Sequence, residues 1–157
     1  MRRKDRNVDS VEEKERILAE ALHMTLAMQD DTSAGAPYQV PLNHVYLDGN
    51  IYFHCAAAGK KLDCIRANPN VSVSAISTGR LVVPENAKAC DIGMAFESVH
   101  ATGVATVLEQ GDEHRRALEA LVRRYGGDPS TMSPAAMKVT TLVRIAIGVM
   151  TAKRANM

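Results

Sequence analysis

Apolar and polar residues alternate with a period of two over several stretches of the chain, recur at helical spacing over others, and are separated by turn residues. Ser10-Val11-Glu12-Glu13 has the form of a capping box, and Ile17, Leu18, Ala21 and Leu22 follow at helical spacing, which predicts a helix over about 10–21. His23 to Met28 is short enough and apolar enough for a strand, and Asp30 to Gly35 is a polar turn. Tyr38 to Tyr46 reads as one strand. It carries Pro41, which lacks a ladder donor and so predicts an edge position or a bulge. Asp48-Gly49-Asn50 has hairpin-turn chemistry, and Ile51 to Cys55 is a strong β run beyond it.

A short helix is predicted after Gly59, with Leu62 and Ile65 on one face and Asn68-Pro69 closing it. Val71 to Ile76 alternates as a half-buried strand should, whereas Thr78 to Gly93 reads mostly as loop, with Leu81 to Val83 a short strand candidate. From Ser98 to Leu108, Val99, Ala101, Gly103, Ala105 and Val107 share one side, and Gly103 suits a bend. Asp112 is the predicted cap of a helix whose buried stripe is Ala117, Leu118, Leu121, Val122 and Tyr125, ended by Gly126-Gly127. Ser133-Pro134 opens one more helical turn. Val139 to Met150 is the last predicted strand, with Val143, Ile145, Ile147 and Val149 on one face.

Neighbouring strands are joined by hairpins and not by helical crossovers. The fold class is therefore mainly β with α: a small closed or split β-barrel of antiparallel strands with helices at its ends. The 157 residues fit one domain, 1–157, with residues 1–9 as a charged N-terminal arm. A net charge of +1 excludes a general electrostatic grip on nucleic acid. No apolar run approaches the ~20 residues of a membrane span, and no apolar stretch follows the opening charges to make a signal peptide, so a cytoplasmic protein is expected. Cys55, Cys64 and Cys90 form no C-x-x-C pair, so no metal site is predicted and reduced, mostly buried thiols are expected.

The most informative segment runs from Ile51 to Asp63. A strand ends in Ala56-Ala57-Ala58, and Gly59 precedes a helix whose first turn holds Lys60 and Lys61. Cations are disfavoured there by the helix dipole, while the free N–H groups favour an anion. Two readings are open: an anion bound at the helix start, a phosphate monoester foremost, or two solvated lysines. No Rossmann or Walker-type glycine motif is present, which limits a phosphate ligand to a mononucleotide-sized cofactor.

Tyr38-x-Val40-Pro41-Leu42-Asn43, Tyr52-Phe53-His54-x-Ala56-x-x-Gly59-x-Lys61-x-Asp63 and Asn68-Pro69-x-Val71 resemble the nitroimidazole-resistance branch of the pyridoxamine-phosphate-oxidase-like flavoproteins. The opening Met1 to Arg6, the run Ala89-Cys90-x-x-Gly93-Met94-x-x-x-Ser98-Val99, and Arg144-Ile145 with Met150-Thr151-x-Lys153 resemble it as well, so the likeness spans nearly the whole chain. The resemblance implies a split-barrel homodimer with FMN at the dimer interface. It implies that Lys60 and Lys61 hold the phosphate, and that Val40, Pro41, Leu42 and Asn43 line the isoalloxazine. By the same resemblance His54, Cys55 and Ala56 stand beside the cofactor at the strand end, and Ser98 adds a contact. His54 is the candidate catalytic residue, handling protons near the flavin or a small-molecule substrate. Phe96 stands where this branch has tyrosine, and Glu97 where a basic residue is common; an acid there would repel a phosphate.

His44 and His100 are secondary candidates on strands, while His23 and His114 read as surface or helix-end residues. The function that follows is a flavoenzyme passing electrons from a reduced nicotinamide to a small acceptor, a nitroaromatic among the candidates. The alternative is a non-catalytic FMN- or haem-binding protein on the same scaffold. A deazaflavin-dependent relative and a cofactor-free dimer are further readings.

Overall fold

A computed structural model describes residues 3–32 and 34–155. After a 3-10 turn at Lys4–Arg6 come β1 (Asn7–Val8), α1 (Val11–Glu20), β2 (Met24–Met28), β3 (Tyr38–Leu42), β4 (Val45–Leu47), β5 (Asn50–Cys55) and α2 (Lys60–Ala67). The second half holds β6 (Asn70–Val82), β7 (Gly93–Val107), α3 (Asp112–Arg124), α4 (Pro134–Val139) and β8 (Thr141–Ala155). The strands form one antiparallel sheet in the order β3-β2-β6-β7-β8-β5-β4, with β1 pairing on β8.

The two end strands, β3 and β4, are consecutive in the chain and joined only by Asn43 and His44, yet they do not pair with each other. A two-residue link forces the sheet to curl until its ends meet, so it is a barrel split along one seam. Its interior is filled by inward side chains such as Leu26, Phe53, Val73, Val99 and Ile145, closed at the ends by Ile17 and Leu18 of α1 and Leu62 and Ile65 of α2. α3 covers the outer face of β4, β5 and β8, where Ala117, Leu118 and Leu121 pack on Val45, Tyr52 and Leu142.

Local chemistry explains the elements that the pattern foretold. The Ser10 hydroxyl accepts from the Glu13 N–H at 3.1 Å, one half of the capping box; the Glu13 carboxylate turns instead to Arg154 at 2.6 Å. Asp48 and Gly49 both take positive φ, the signature of a two-residue type I′ hairpin. Pro41 lies on an edge strand, opposite Thr25, one of the positions its missing donor predicts. The inward set Val99, Ala101 and Ala105 is as expected.

Several boundaries differ. Tyr38 to Tyr46 is two strands, broken at the seam. Within Thr78 to Gly93, residues 83–92 connect the strands, as expected of a stretch that is mostly loop, and the strand candidate at Leu81 to Val83 is the end of β6; β6 runs unbroken from Asn70 to Val82 and pairs there with the start of β7, making a two-stranded arm whose exposed residues do not alternate as a half-buried sheet does. Asp112 is the first residue of α3 and not its cap; Gly111 takes that place without a side-chain bond. On β8 the pairing steps from Thr102↔Val149 to Gly103↔Ile147, so Gly148 is an extra residue and Val149 turns outward, away from the face of Val143 and Ile145. From Asn7 on, the charged arm is tied to β8; Met1 and Arg2 lie outside the described residues.

Candidate functional site

The first turn of α2 begins at Lys60 with Gly59 at the cap and no capping side chain, so its leading N–H groups have no intrahelical acceptor. Lys60 Nζ lies 2.5 Å from the Oδ2 of Asp30 and 5.2 Å from the centre of the Tyr38 ring. Lys61 Nζ lies 5.5 Å from the centre of the Phe53 ring, and among the described residues it makes no ion pair. Ala56, Ala57 and Ala58 are exposed, leaving the approach to this turn uncluttered. Cys55 is half-buried beside it. Burial pushes its thiol pKa up, against the downward pull of Lys61 and Arg66, so it is not an activated thiolate.

At the seam, Asn43 and His54 line a cavity of about 320 Å³ together with Leu118, Leu121, Val122 and Tyr125 of the α3 segment and Thr140. The seam itself is held by the C-terminal end of α1, whose last carbonyls need partners from outside the helix. His44 Nε2 meets the Leu18 carbonyl at 2.9 Å, Arg124 donates to the Ala21 carbonyl at 2.6 Å, and the Tyr125 hydroxyl meets the Leu22 carbonyl at 2.6 Å. The Tyr125 hydroxyl also accepts from the His44 N–H at 3.0 Å. His44 is thus a fully buried cap, its pKa lowered by burial, and not a pocket residue.

Val40 and Leu42 of β3 pack partly against the barrel core, whereas Pro41 and Asn43 are exposed along the open edge. Ser98 sits elsewhere, on β7 between Ile76 and Lys153, with β2 and β6 separating it from β3. The larger cavity, about 590 Å³, is a groove on the outer face lined by Ala27, Ser72, Thr102, Gly103, Val104 and their neighbours, and it contains none of the predicted site residues.

Three sequence expectations need correction. Glu97 cannot repel a phosphate as a free acid, because it is buried under α1 and neutralised by Arg16 at 2.8 and 2.9 Å and by Arg154 at 2.7 Å. His114 is not a surface residue; it is buried, with Nε2 2.9 Å from the Thr140 carbonyl. Cys90 is exposed, not buried. His100 is exposed on the outer face and pairs with the Ser72 hydroxyl at 2.9 Å. Sequence reasoning missed Asp30, Tyr38 and the α3 wall; Tyr38 alone lay within a recognised motif.

A family model described as pyridoxamine 5'-phosphate oxidase matches residues 10–154. The chain belongs to this family. The solved structure of a candidate 5-nitroimidazole antibiotic resistance protein from Bacteroides thetaiotaomicron is similar over 94% of this chain and 85% of its own, at 26% identity and a TM-score of 0.80. An FAD-binding protein from Mesorhizobium loti is similar over 96% of this chain and 98% of its own, at 25% identity and a TM-score of 0.70. The FAD and heme binding protein from Mycobacterium smegmatis has a TM-score of 0.82 at 18% identity, over 97% of this chain and 74% of its own, a likeness of fold alone. No curated protein matches the chain. The split barrel is thus the fold of a pyridoxamine 5'-phosphate oxidase family member, and the seam and the α2 start are features of that member's own sequence.

Proposed function

We propose that this protein binds FMN and is an oxidoreductase that passes electrons from a reduced nicotinamide to a small acceptor, nitroaromatics included. The observation that carries this reading is the uncapped start of α2, with the Lys61 ammonium beside it and an open approach over Ala56 to Ala58. Directional N–H donors and a point charge at one place suit a phosphate monoester. Lys60 contributes from its ion pair with Asp30. The rest of the donor set fits a flavin: β3 is an edge strand, so part of its backbone between Val40 and Asn43 is free to bond a ring's polar edge, and Val40 and Leu42 offer apolar surface. Ser98, on β7, is the further cofactor contact that the family resemblance implies. That the Mesorhizobium loti protein is an FAD-binding protein supports a flavin as the class of cofactor.

Bound FMN supplies two-electron chemistry, taking a hydride from a donor and giving electrons to an acceptor. The chain's own residues bind and orient. Lys61 and the α2 N–H groups hold the phosphate, Asn43 presents its amide at the seam, and His54 carries or releases a proton at its ring nitrogens beside the pocket. The working unit is a homodimer. Ile76, Val104 and Val149 on the outer sheet face, with Leu81, Val83, Ile92 and Met94 on the arm, are large exposed apolar residues that a second copy would cover.

The test is the absorption spectrum of the purified protein, before and after denaturation and with added FMN, combined with light scattering for mass. Flavin bands that persist through gel filtration, release of FMN on denaturation and a dimer mass support the reading. A colourless protein that takes up no FMN overturns it, and a Soret band assigns the scaffold to haem instead.

A further inference from the structure

The barrel is closed at its seam by a link of two residues, and the second of them, His44, is fully buried. Three bonds fasten it. The backbone N–H donates to the Tyr125 hydroxyl at 3.0 Å, the backbone carbonyl accepts from that hydroxyl at 3.1 Å, and Nε2 meets the Leu18 carbonyl of α1 at 2.9 Å. A carbonyl can only accept, so Nε2 carries the ring proton and donates it. Nδ1 is then the bare acceptor of a neutral imidazole, buried with no hydrogen-bond partner among the described residues.

A proton added to Nδ1 would find no acceptor and no countercharge. Arg124 and, when charged, His23 oppose a positive ring. The carboxylates on the elements around it are engaged elsewhere. Glu15 and Glu20 of α1 hold the Tyr46 hydroxyl of β4 and Arg16, while Glu113 and Glu119 of α3 hold the Tyr52 hydroxyl of β5 and Arg123. Burial pushes the His44 pKa below its ordinary 6.5 against the pull of the Leu18 carbonyl, and the two cations push the same way as burial. An imidazolium would regain its hydration only if the link left its place. β3 pairs with β2 alone, so a freed link leaves its Val40 to Asn43 end held on one side only.

We propose that His44 is an acid-sensitive latch of the seam: neutral, it fastens the β3–β4 link to the end of α1, and protonated, it lets go of the link and of the β3 edge. The sign follows from linkage. A ring whose neutral form is favoured in the closed seam contributes stability that is full above pH 6.5 and is lost as pH falls towards its lower folded pKa. That window lies above the range in which ordinary carboxylates titrate. Val40 to Asn43 are the residues proposed to line the isoalloxazine, so opening the latch should also speed the loss of FMN. This consequence rests on the FMN reading; the latch itself does not.

Hydrogen exchange of the segment 38–47, divided by the intrinsic exchange rate at each pH, reads the opening itself. Between pH 8 and pH 5 this quotient should rise below pH 6.5, by up to about tenfold per pH unit, the limit for one proton. Segments of β7 should not follow it. Imidazole NMR of the native protein should show the His44 ring still neutral where an exposed histidine is half protonated. Neither measurement needs a variant. His44→Gln keeps an N–H for the Leu18 carbonyl but gains no proton in this range, and its quotient should stay flat. A quotient that is flat in the native protein, that rises equally in the Gln variant, or a His44 ring that titrates at the ordinary position in the folded protein overturns the latch. FMN release, followed by the fluorescence of free flavin, should accelerate below pH 6.5 more in the native protein than in the Gln variant. The cofactor's own phosphate titrates near pH ~6, but it does so on both proteins alike. Equal acceleration, with the exchange difference present, keeps the latch and separates the flavin from the β3 edge. A protein that takes up no FMN overturns the flavin reading and leaves the exchange result to decide the latch.

Discussion

The Asp30 carboxylate, with a side chain only 3% exposed, holds the exposed Lys60 ammonium at 2.5 Å, while the neighbouring Lys61 has no such partner among the described residues. The two lysines therefore have different duties. Lys61→Ala removes a charge-assisted phosphate contact worth ~1.5–3 kcal/mol and should weaken FMN binding by about 10–100-fold with little change in melting temperature. Lys60→Ala strips a buried carboxylate of its counter-ion and should lower the melting temperature even without cofactor. Titration of FMN into each variant, alongside thermal melts of the cofactor-free protein, checks the split. Equal effects of both substitutions on both readouts would show that the lysines are interchangeable.

Glu97 links α1 to the barrel through Arg16 and Arg154. Burial tends to raise its pKa, but the hydrogen bonds and charges of the two arginines outweigh burial and hold it below its ordinary value of 4.5. A depressed carboxyl contributes stability that is full above the unfolded pKa and is lost as pH falls through the folded one. The protein should therefore lose stability progressively as pH falls below about 4.5, and Glu97→Gln should flatten that acid limb. At neutral pH the same substitution should cost ~1.5–3 kcal/mol, since the freed arginines are partly solvated. Denaturant melts from pH 3 to pH 7 decide it; parallel acid limbs for both proteins would assign the acid sensitivity to other groups.

Legibility in the sequence followed the range of the interaction. The Ser10 cap, the Asp48-Gly49 turn and the alternation over Val99 to Ala105 are local, and each was readable. The loop of 83–92 and a strand near Leu81 to Val82 were readable too, but the continuation of β6 through Thr78 to Arg80 was not, because the arm lacks a buried face and its side chains carry no period. The seam was hidden inside what looks like one continuous strand from Tyr38 to Tyr46. His44 and His114 look like any strand or helix histidine, and their burial comes from carbonyls of Leu18 and Thr140 that no local pattern reveals. The motif of Gly59 to Lys61 was legible as an anion candidate, but Asp30, which divides the two lysines' roles, approaches from another loop.

Gly103 stands where β7 meets the bulge of β8. A Cβ there would lie 2.3 Å from the Ala146 carbonyl oxygen and 3.0 Å from the Ile145 Cγ2. Backbone oxygen cannot yield as a flexible side chain would, so Gly103→Ala should destabilise by ~1–3 kcal/mol or more, the usual range for overpacking. Gly111→Ala is the control, since nothing lies within 4 Å of its added carbon. Chemical denaturation of the two variants compares them, and an unaffected Gly103→Ala protein would mean that the strands separate there without cost.

Beside the Arg124 contact to the Ala21 carbonyl, the Tyr125 hydroxyl ties the end of α3 to the seam, accepting from the His44 N–H at 3.0 Å and meeting the carbonyls of Leu22 and His44 at 2.6 and 3.1 Å. Tyr125→Phe keeps the ring that lines the cavity and deletes only this tie. His44 is fully buried, so its N–H would be left without a partner, a loss of ~1–3 kcal/mol. Asn43 is the next residue along the chain and bears the cavity's amide, so loosening the His44 backbone should also blur the position of that amide. The variant should therefore show both a lower melting temperature and a weaker affinity for a small nitroaromatic probe such as 4-nitrobenzyl alcohol, of the acceptor class proposed above, while the phosphate end at Lys61 is untouched and FMN is retained through gel filtration. A variant that melts lower but binds the probe as the native protein does would separate seam stability from the cavity and leave Asn43 without a binding role.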